Sequence, residues 1–270
     1  MKKLKKYASL FRIRFQAGIQ YRAAALAGIA TQLAWGFLNI LLYLMFYRDN
    51  AEAFPMAIGS VVSYMWLRQG FLTLFETWSV EGDILDAITG GGVAYELTRP
   101  VGIYNMWFVR VFSGRVSKVL LRAIPLLLVA FLLPAPYGLS LPRDPAAFFG
   151  FLLTLVLGAL VTCSYMMFVY ILTFFTLQPQ GVRLALNSFT ELLNGALVPL
   201  PFFPPVLRQI LEWSPFGAML NVPYRVWSGD IAGIALWQNA GRQLFWLCAL
   251  VMLGQLLMAR GLRRAVIQGG

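Results

Sequence analysis

Six stretches of this 270-residue chain, 23–47, 57–77, 113–133, 147–176, 184–203 and 240–259, are almost unbroken runs of apolar residues. A helix needs about 20 such residues to cross a hydrocarbon core about 30 Å thick. Inside lipid every backbone N–H and C=O must be bonded within the protein, which leaves only helices and closed barrels. These runs are too long and too rich in Leu, Phe and Gly to be strands, so the spacing predicts an all-α polytopic membrane protein with six transmembrane helices, forming a single membrane domain over 1–270. Composition agrees, with 59% hydrophobic and only 12% charged residues. The first run follows a basic stretch without a small-residue cleavage site, and it is expected to be a retained span.

Charge sets the expected orientation. Of the 22 Lys and Arg residues, Arg48, Arg143, Arg208, Arg225 and Arg242 fall on one side of the spans, Arg68 falls within a span, and the other sixteen fall on the opposite side. The basic side is cytoplasmic by the positive-inside bias, so both termini are expected inside the cytoplasmic (inner) membrane. The net charge of +11 is divided among apolar spans and not gathered on one face, which points to anionic membrane lipids as partners and not to nucleic acid. The chain has no His, which excludes Ser-His-Asp, Cys-His and HExxH chemistries. Cys163 and Cys248 lie far apart inside apolar runs without metal-ligand spacing and read as buried thiols. Ahead of the first span, Leu4, Tyr7, Ala8, Phe11, Phe15 and Ile19 recur at helical spacing among Lys5, Lys6, Arg12 and Arg14. Residues 1–22 are therefore expected to form an amphipathic elbow helix in the inner interface.

The longest inner connection, 78–112, carries an apolar stripe of Val80, Ile84, Leu85 and Ile88 beside Glu81, Asp83 and Asp86. A short amphipathic helix here is a docking surface, and Gly90-Gly91-Gly92 suits its left-handed cap. No Lys-Ser or Lys-Thr follows the glycines, so they do not make a phosphate loop. On the other side of the membrane, prolines crowd the stretch VPLPFFPPVLRQILEWSPFG at 198–217. Pro199 and Pro201 cannot continue span five and force an extended turn. Pro204-Pro205 then opens a short new helix, where a missing N–H costs nothing. The segment 202–239 is expected to be a helical cap embedded at the outer face between spans five and six.

Arg68 in span two and Glu191 in span five are the conspicuous charges inside spans. Asn187, Glu191 and Asn194 fall at i, i+4 and i+7, one polar stripe on an otherwise apolar helix. At about 1.5 Å per residue, Glu191 lies roughly 10 Å and Arg68 roughly 14 Å above the inner ends of their spans. Such residues face a bundle interior or a wet cavity. The four residues are expected either to form a structural ion pair or to line a translocation path.

The whole arrangement resembles the permease subunit of ABC-2 type exporters. The resemblance rests on six spans, the elbow, the inner docking helix and the outer proline-punctuated segment, with the motifs IQYRAAAL at 19–26, GGVAYELTRPV at 91–101 and LVPLPFFPPVLRQILEWSPF at 197–216. It covers nearly the entire chain and points to the small, largely uncharacterised export branch of the group. It implies a full exporter of two permeases, identical or similar, with two ABC ATPase subunits and the substrate moving between the permeases. In that setting Val80, Ile84, Leu85 and Ile88, with Tyr95, Arg99 and Pro100 of the following loop, become the coupling contact with the ATPase. Some relatives export hydrophobic organic cations. No Walker A, Walker B or signature motif is present, so the chain is not expected to be an enzyme, and ATP and Mg belong to the partner ATPase. The rival readings are a polysaccharide permease lined by Phe174-Phe175 and Phe202-Phe203, and an ATPase-independent carrier or channel. An intramembrane transferase would need clustered carboxylates or His, which the spacing of Glu76, Glu81, Asp83 and Asp86 does not supply.

Overall fold

The computed structural model describes residues 2–20 and 22–263, with side chains from Lys5 to Gln20 and from Ala27 to Arg263. Met1, Tyr21 and 264–270, and with them Arg264 of the inner charge set, lie outside the described residues, as do the side chains of Leu4 and of Arg22. Among the described residues all regular structure is helical: α1 (Lys2–Ile19), α2 (Arg22–Asp49), α3 (Ile58–Gly70), α4 (Leu72–Phe75), α5 (Gly82–Thr89), α6 (Val93–Leu97), α7 (Ile103–Leu132), α8 (Pro145–Thr176), α9 (Pro179–Leu193), α10 (Pro205–Trp213), α11 (Asn221–Trp227) and α12 (Ile234–Leu262).

Three of these, α2 from Ala27, α8 and α12, are long and apolar enough to cross a membrane by length and composition. Local signals start the longest: the Asp144 side chain accepts from Ala147 N–H at 2.7 Å, and Pro145 occupies the first turn. Helix α2 is apolar all round, burying Ile40 while Trp35, Leu38, Met45 and Phe46 stay uncovered by the chain.

The other three expected spans differ from a simple crossing. Span three is the C-terminal part of α7, which starts ten residues earlier and carries Arg110, Arg115, Lys118 and Arg122 along its first two thirds. Span two breaks at Phe71 between α3 and α4 and stops at Phe75. Span five ends at Leu193, so α9 is about 22 Å long, short of a full crossing. The physical reason is alike in the last two. The carbonyls of Leu74 and Glu76 at the end of α4 are taken by the Arg115 side chain at 3.1 and 2.6 Å, and just past α9 the Tyr64 hydroxyl donates to the Gly195 carbonyl at 3.0 Å while the Asn194 side chain accepts from Ala196 N–H at 2.8 Å, so both chain turns are held by side chains.

α8 is the spine. It packs against α12, α11, α9, α7 and α5, while α1 lies along α7. Two buried apolar clusters form, one around Trp66, Tyr64, Phe151 and Tyr224, the other around Trp107, Tyr170, Met167 and Ile84. Cys163 is buried as expected, but Cys248 is exposed, because it falls on the outward face of α12.

The prolines after span five do what the sequence asks of them, since α10 begins at Pro205. The segment goes further than a cap at the outer face, however. The Met219 carbonyl approaches Gly158 so closely that a Cβ there would lie 2.5 Å from its oxygen. Gly158 is about 20 Å along α8 from Pro145. The Gln243 side chain of α12 donates to the carbonyls of Ala218 at 2.9 Å and Thr154 at 3.0 Å, and α11 then climbs back until Trp227 meets Phe151 at 4.9 Å between ring centroids. The chain folds back between α8, α12 and α3. Irregular backbone at this depth is tolerable because protein surrounds it and Gln243 bonds one of its free carbonyls.

Candidate functional site

Arg68, Glu191 and Asn194 line one cavity, with Glu76, Thr77 and Tyr224. Asn187 stands beside it, accepting from the Thr77 hydroxyl at 2.6 Å. The structure thus gathers Arg68 of α3, the residues just past α4 and the polar stripe of α9. Among the described residues no ion pair joins Arg68 to Glu191, and the Arg68 Nε has no hydrogen-bond partner. Two tyrosines frame the arginine: Tyr64 donates to the Gly195 carbonyl at 3.0 Å, while the buried Tyr224 hydroxyl is unpaired. The cavity measures only about 20 Å³, room for a water molecule and not for an organic substrate. The polar groups are therefore gathered around a space too small for a substrate within one chain.

At the other end of α7 the apolar stripe of the inner connection is spent on the chain itself. Ile84 is 0% exposed and Ile88 is buried, both packed with Trp107, Tyr170 and Met167, and Val80 and Leu85 pack against the same cluster. The stripe expected to dock a partner is thus largely covered by the chain itself, and the exposed surface here is the opposite side of α5, with Asp83 and Asp86, together with α6 and the turn after it, where Tyr95 is 81% exposed and Arg99 and Pro100 are exposed. Gly91, at φ 74°, makes the left-handed turn between α5 and α6. Residues that sequence reasoning passed over hold this region in place. Arg110 binds Glu81 and Asp83, Trp107 Nε1 donates to Glu96, and the Glu81 N–H donates to the Tyr170 hydroxyl at 2.8 Å. Arg110 and Arg115 were readable as topology signals only, because their acceptors lie 27 to 41 residues away in sequence.

The segment between α9 and α12 is fixed at α10 and α11 by charge. Glu212 of α10 accepts from Arg208 at 2.9 Å and from the buried Arg225 at 2.5 Å, and Arg225 also pairs with Asp230. Burial alone would raise the Glu212 pKa, but the hydrogen bonds and charges of Arg208 and Arg225 outweigh it and hold the carboxyl below its ordinary value. A depressed carboxyl adds stability above its unfolded pKa, and that stability is lost as pH falls through the folded value. Glu212→Gln is expected to lower stability at neutral pH by about 2 kcal/mol, between the exposed and buried limits for an ion pair. In thermal unfolding of the purified protein the gap between wild type and variant closes as the pH drops below about 4.5.

Three helices long and apolar enough to cross a membrane, with an arginine and a carboxylate on the shorter helices α3 and α9 packed among them, are compatible with a membrane-embedded protein of the transporter class. The chain belongs to a specific family of that class: a family model described as "ABC-2 family transporter protein" matches residues 29–269. Members of this family are the membrane components of transporters that normally work with an ABC ATPase. A comparison with curated proteins finds no match.

Proposed function

We propose that this chain is the permease subunit of an ABC-2 type exporter, which forms its substrate pathway as a dimer of permeases and is driven by separate ATPase subunits that bind ATP and Mg. In this reading the chain crosses the inner membrane six times with both termini in the cytoplasm, α1 is the interfacial elbow, and the whole chain is one permease domain. The observation that carries the reading is α9. Its polar stripe of Asn187, Glu191 and Asn194 borders a cavity of about 20 Å³ next to Arg68, while Leu184, Phe189 and Leu192 of the same helix are uncovered by the chain. A pathway of useful width then requires a second copy or a similar permease across α9. Glu191 offers a negative charge to a small hydrophobic, cationic or amphipathic substrate.

The polysaccharide reading is weaker because its aromatic pairs are taken up in packing: Phe174 stacks on Trp107, and Phe202 packs on Tyr43 and Phe54. One feature favours an ATPase-independent carrier, the helix break at Phe71 beside Arg68. Export that persists without any ATPase subunit would select that alternative.

Glu191→Gln keeps the shape and removes the charge. It is expected to assemble normally and retain basal ATPase activity in the complex while export falls at least about tenfold, roughly 1.4 kcal/mol. Full export by a well-assembled Glu191→Gln protein would refute the pathway assignment. For the orientation, an impermeant thiol reagent added to intact cells should label Gln209→Cys and leave Thr98→Cys untouched in a background lacking Cys163 and Cys248.

A further inference from the structure

Between α1, α7 and the start of α5 lies an open cleft of about 490 Å³, within the size range of small-ligand sites. Arg14 of α1 and Lys118 and Arg122 of α7 line it. Lys118 and Arg122 are one helical turn apart and so face the same way, with Arg14 on the opposing helix. Arg110 and Glu81 also reach the cleft, but they pair with each other at 3.4 Å and leave its charge to the other three. Among the described residues none of Arg14, Lys118 and Arg122 has a carboxylate within 4.0 Å. Like charges gathered in this way repel unless an anion joins them.

The cleft is built and not incidental. A Cβ on Gly18 would fall 2.0 Å from the Ser117 hydroxyl oxygen, so α1 is pressed onto α7 beside the cleft. A Cβ on Gly28 would fall 2.8 Å from the Arg122 guanidinium carbon, so α2 yields space for that side chain. The remaining lining includes Ala17, Gly114 and Leu121, which bond to no charge and suit hydrocarbon or glycerol. A phosphate with apolar matter attached, met at the level where an amphipathic basic helix joins the first membrane helix, is the headgroup of an anionic phospholipid.

We propose that this cleft binds one anionic phospholipid headgroup, with Arg14, Lys118 and Arg122 on its phosphate. The proposal rests on the membrane placement of α1 and α2 but not on cargo, dimerisation or ATPase, so it fails or stands separately from the exporter reading. The test is native mass spectrometry of the purified full chain in mixed micelles of phosphatidylglycerol and phosphatidylcholine. Wild type should retain one phosphatidylglycerol in preference to phosphatidylcholine by about tenfold. The triple substitution Arg14→Gln, Lys118→Gln and Arg122→Gln should abolish that preference. A control with the same charge change at the exposed Arg12, Arg183 and Arg260 should keep it. If the triple variant is poorly folded, Lys118→Gln alone should reduce the preference about threefold. Equal losses in the triple variant and its control, absence of any preference in wild type, or displacement of the lipid by inorganic phosphate as the tighter ligand would each overturn the proposal.

Discussion

Gly158→Val should yield a protein that still inserts in the membrane but unfolds at a much lower temperature in detergent and does not export. The new Cβ would sit 2.5 Å from the Met219 carbonyl oxygen and 3.2 Å from the Gln243 side-chain nitrogen. The first obstacle is backbone, which cannot swing aside, and the second is the group whose hydrogen bonds to Ala218 and Thr154 hold the folded-back tip. Overpacking against such neighbours costs about 3 kcal/mol, the upper part of the usual range, and any loss of the Gln243 bonds adds to it. Insertion should survive because α8 remains an apolar helix of 32 residues. Gly181→Ala is the matching control, since nothing lies within 4 Å of a Cβ there and alanine favours the helix. Thermal unfolding of both proteins decides the matter. A Gly158→Val protein as stable as Gly181→Ala would mean that the 214–220 tip does not occupy this site.

Ile84→Asp is expected to cost about 4 kcal/mol, enough to remove most folded protein, because it places a carboxylate in a fully buried apolar position. The cluster there has an indole, a phenol and a thioether around the side chain, and the nearby Arg110 is already engaged with Glu81 and Asp83. The yield of monodisperse protein is the measurement. Asp86→Lys, on the opposite and exposed face of α5, should purify normally and lose ATPase from the assembled complex. Should Ile84→Asp purify at wild-type yield while shedding its ATPase, the stripe faces a partner after all and the packing assignment is wrong.

These two sites show how far the sequence carries. The amphipathic stripe of Val80, Ile84, Leu85 and Ile88 is visible as a stripe because its period is local, but what covers it depends on Trp107 and Tyr170, brought in from α7 and α8. The proline cluster likewise announces that span five stops and that a helix starts at Pro205. Its inward turn is decided by one glycine on α8 and one glutamine on α12, neither of which has a local signature. The stripe of Asn187, Glu191 and Asn194 was legible with Arg68 as its neighbour in depth, since both follow from helical rise and hydropathy. Their lack of a direct pair was not legible, because Arg68 also lies among Tyr43, Tyr64 and Tyr224, whose positions depend on the folding of α2, α3 and α11. The stop of span two at Phe75 has no proline to mark it and is stabilised by Arg115, 40 positions further on.

Arg110 and Arg115 tie the stretch from Glu76 to Asp83 to α7 at two points, about 7.5 Å apart along its axis. One attachment fixes where a segment sits, and two also fix the angle at which it meets the helix. The stretch therefore cannot slide or swivel without tilting the helix, and the two arginines act as the short arm of a lever. Its long arm runs about 15 Å from Arg115 to Pro125, where a missing N–H removes a rung from the helical ladder and stiffness drops. A displacement of about 1 Å between the two anchors becomes about 2 Å at Pro125, a mechanical advantage set by nothing more than the spacing of two arginines and a proline.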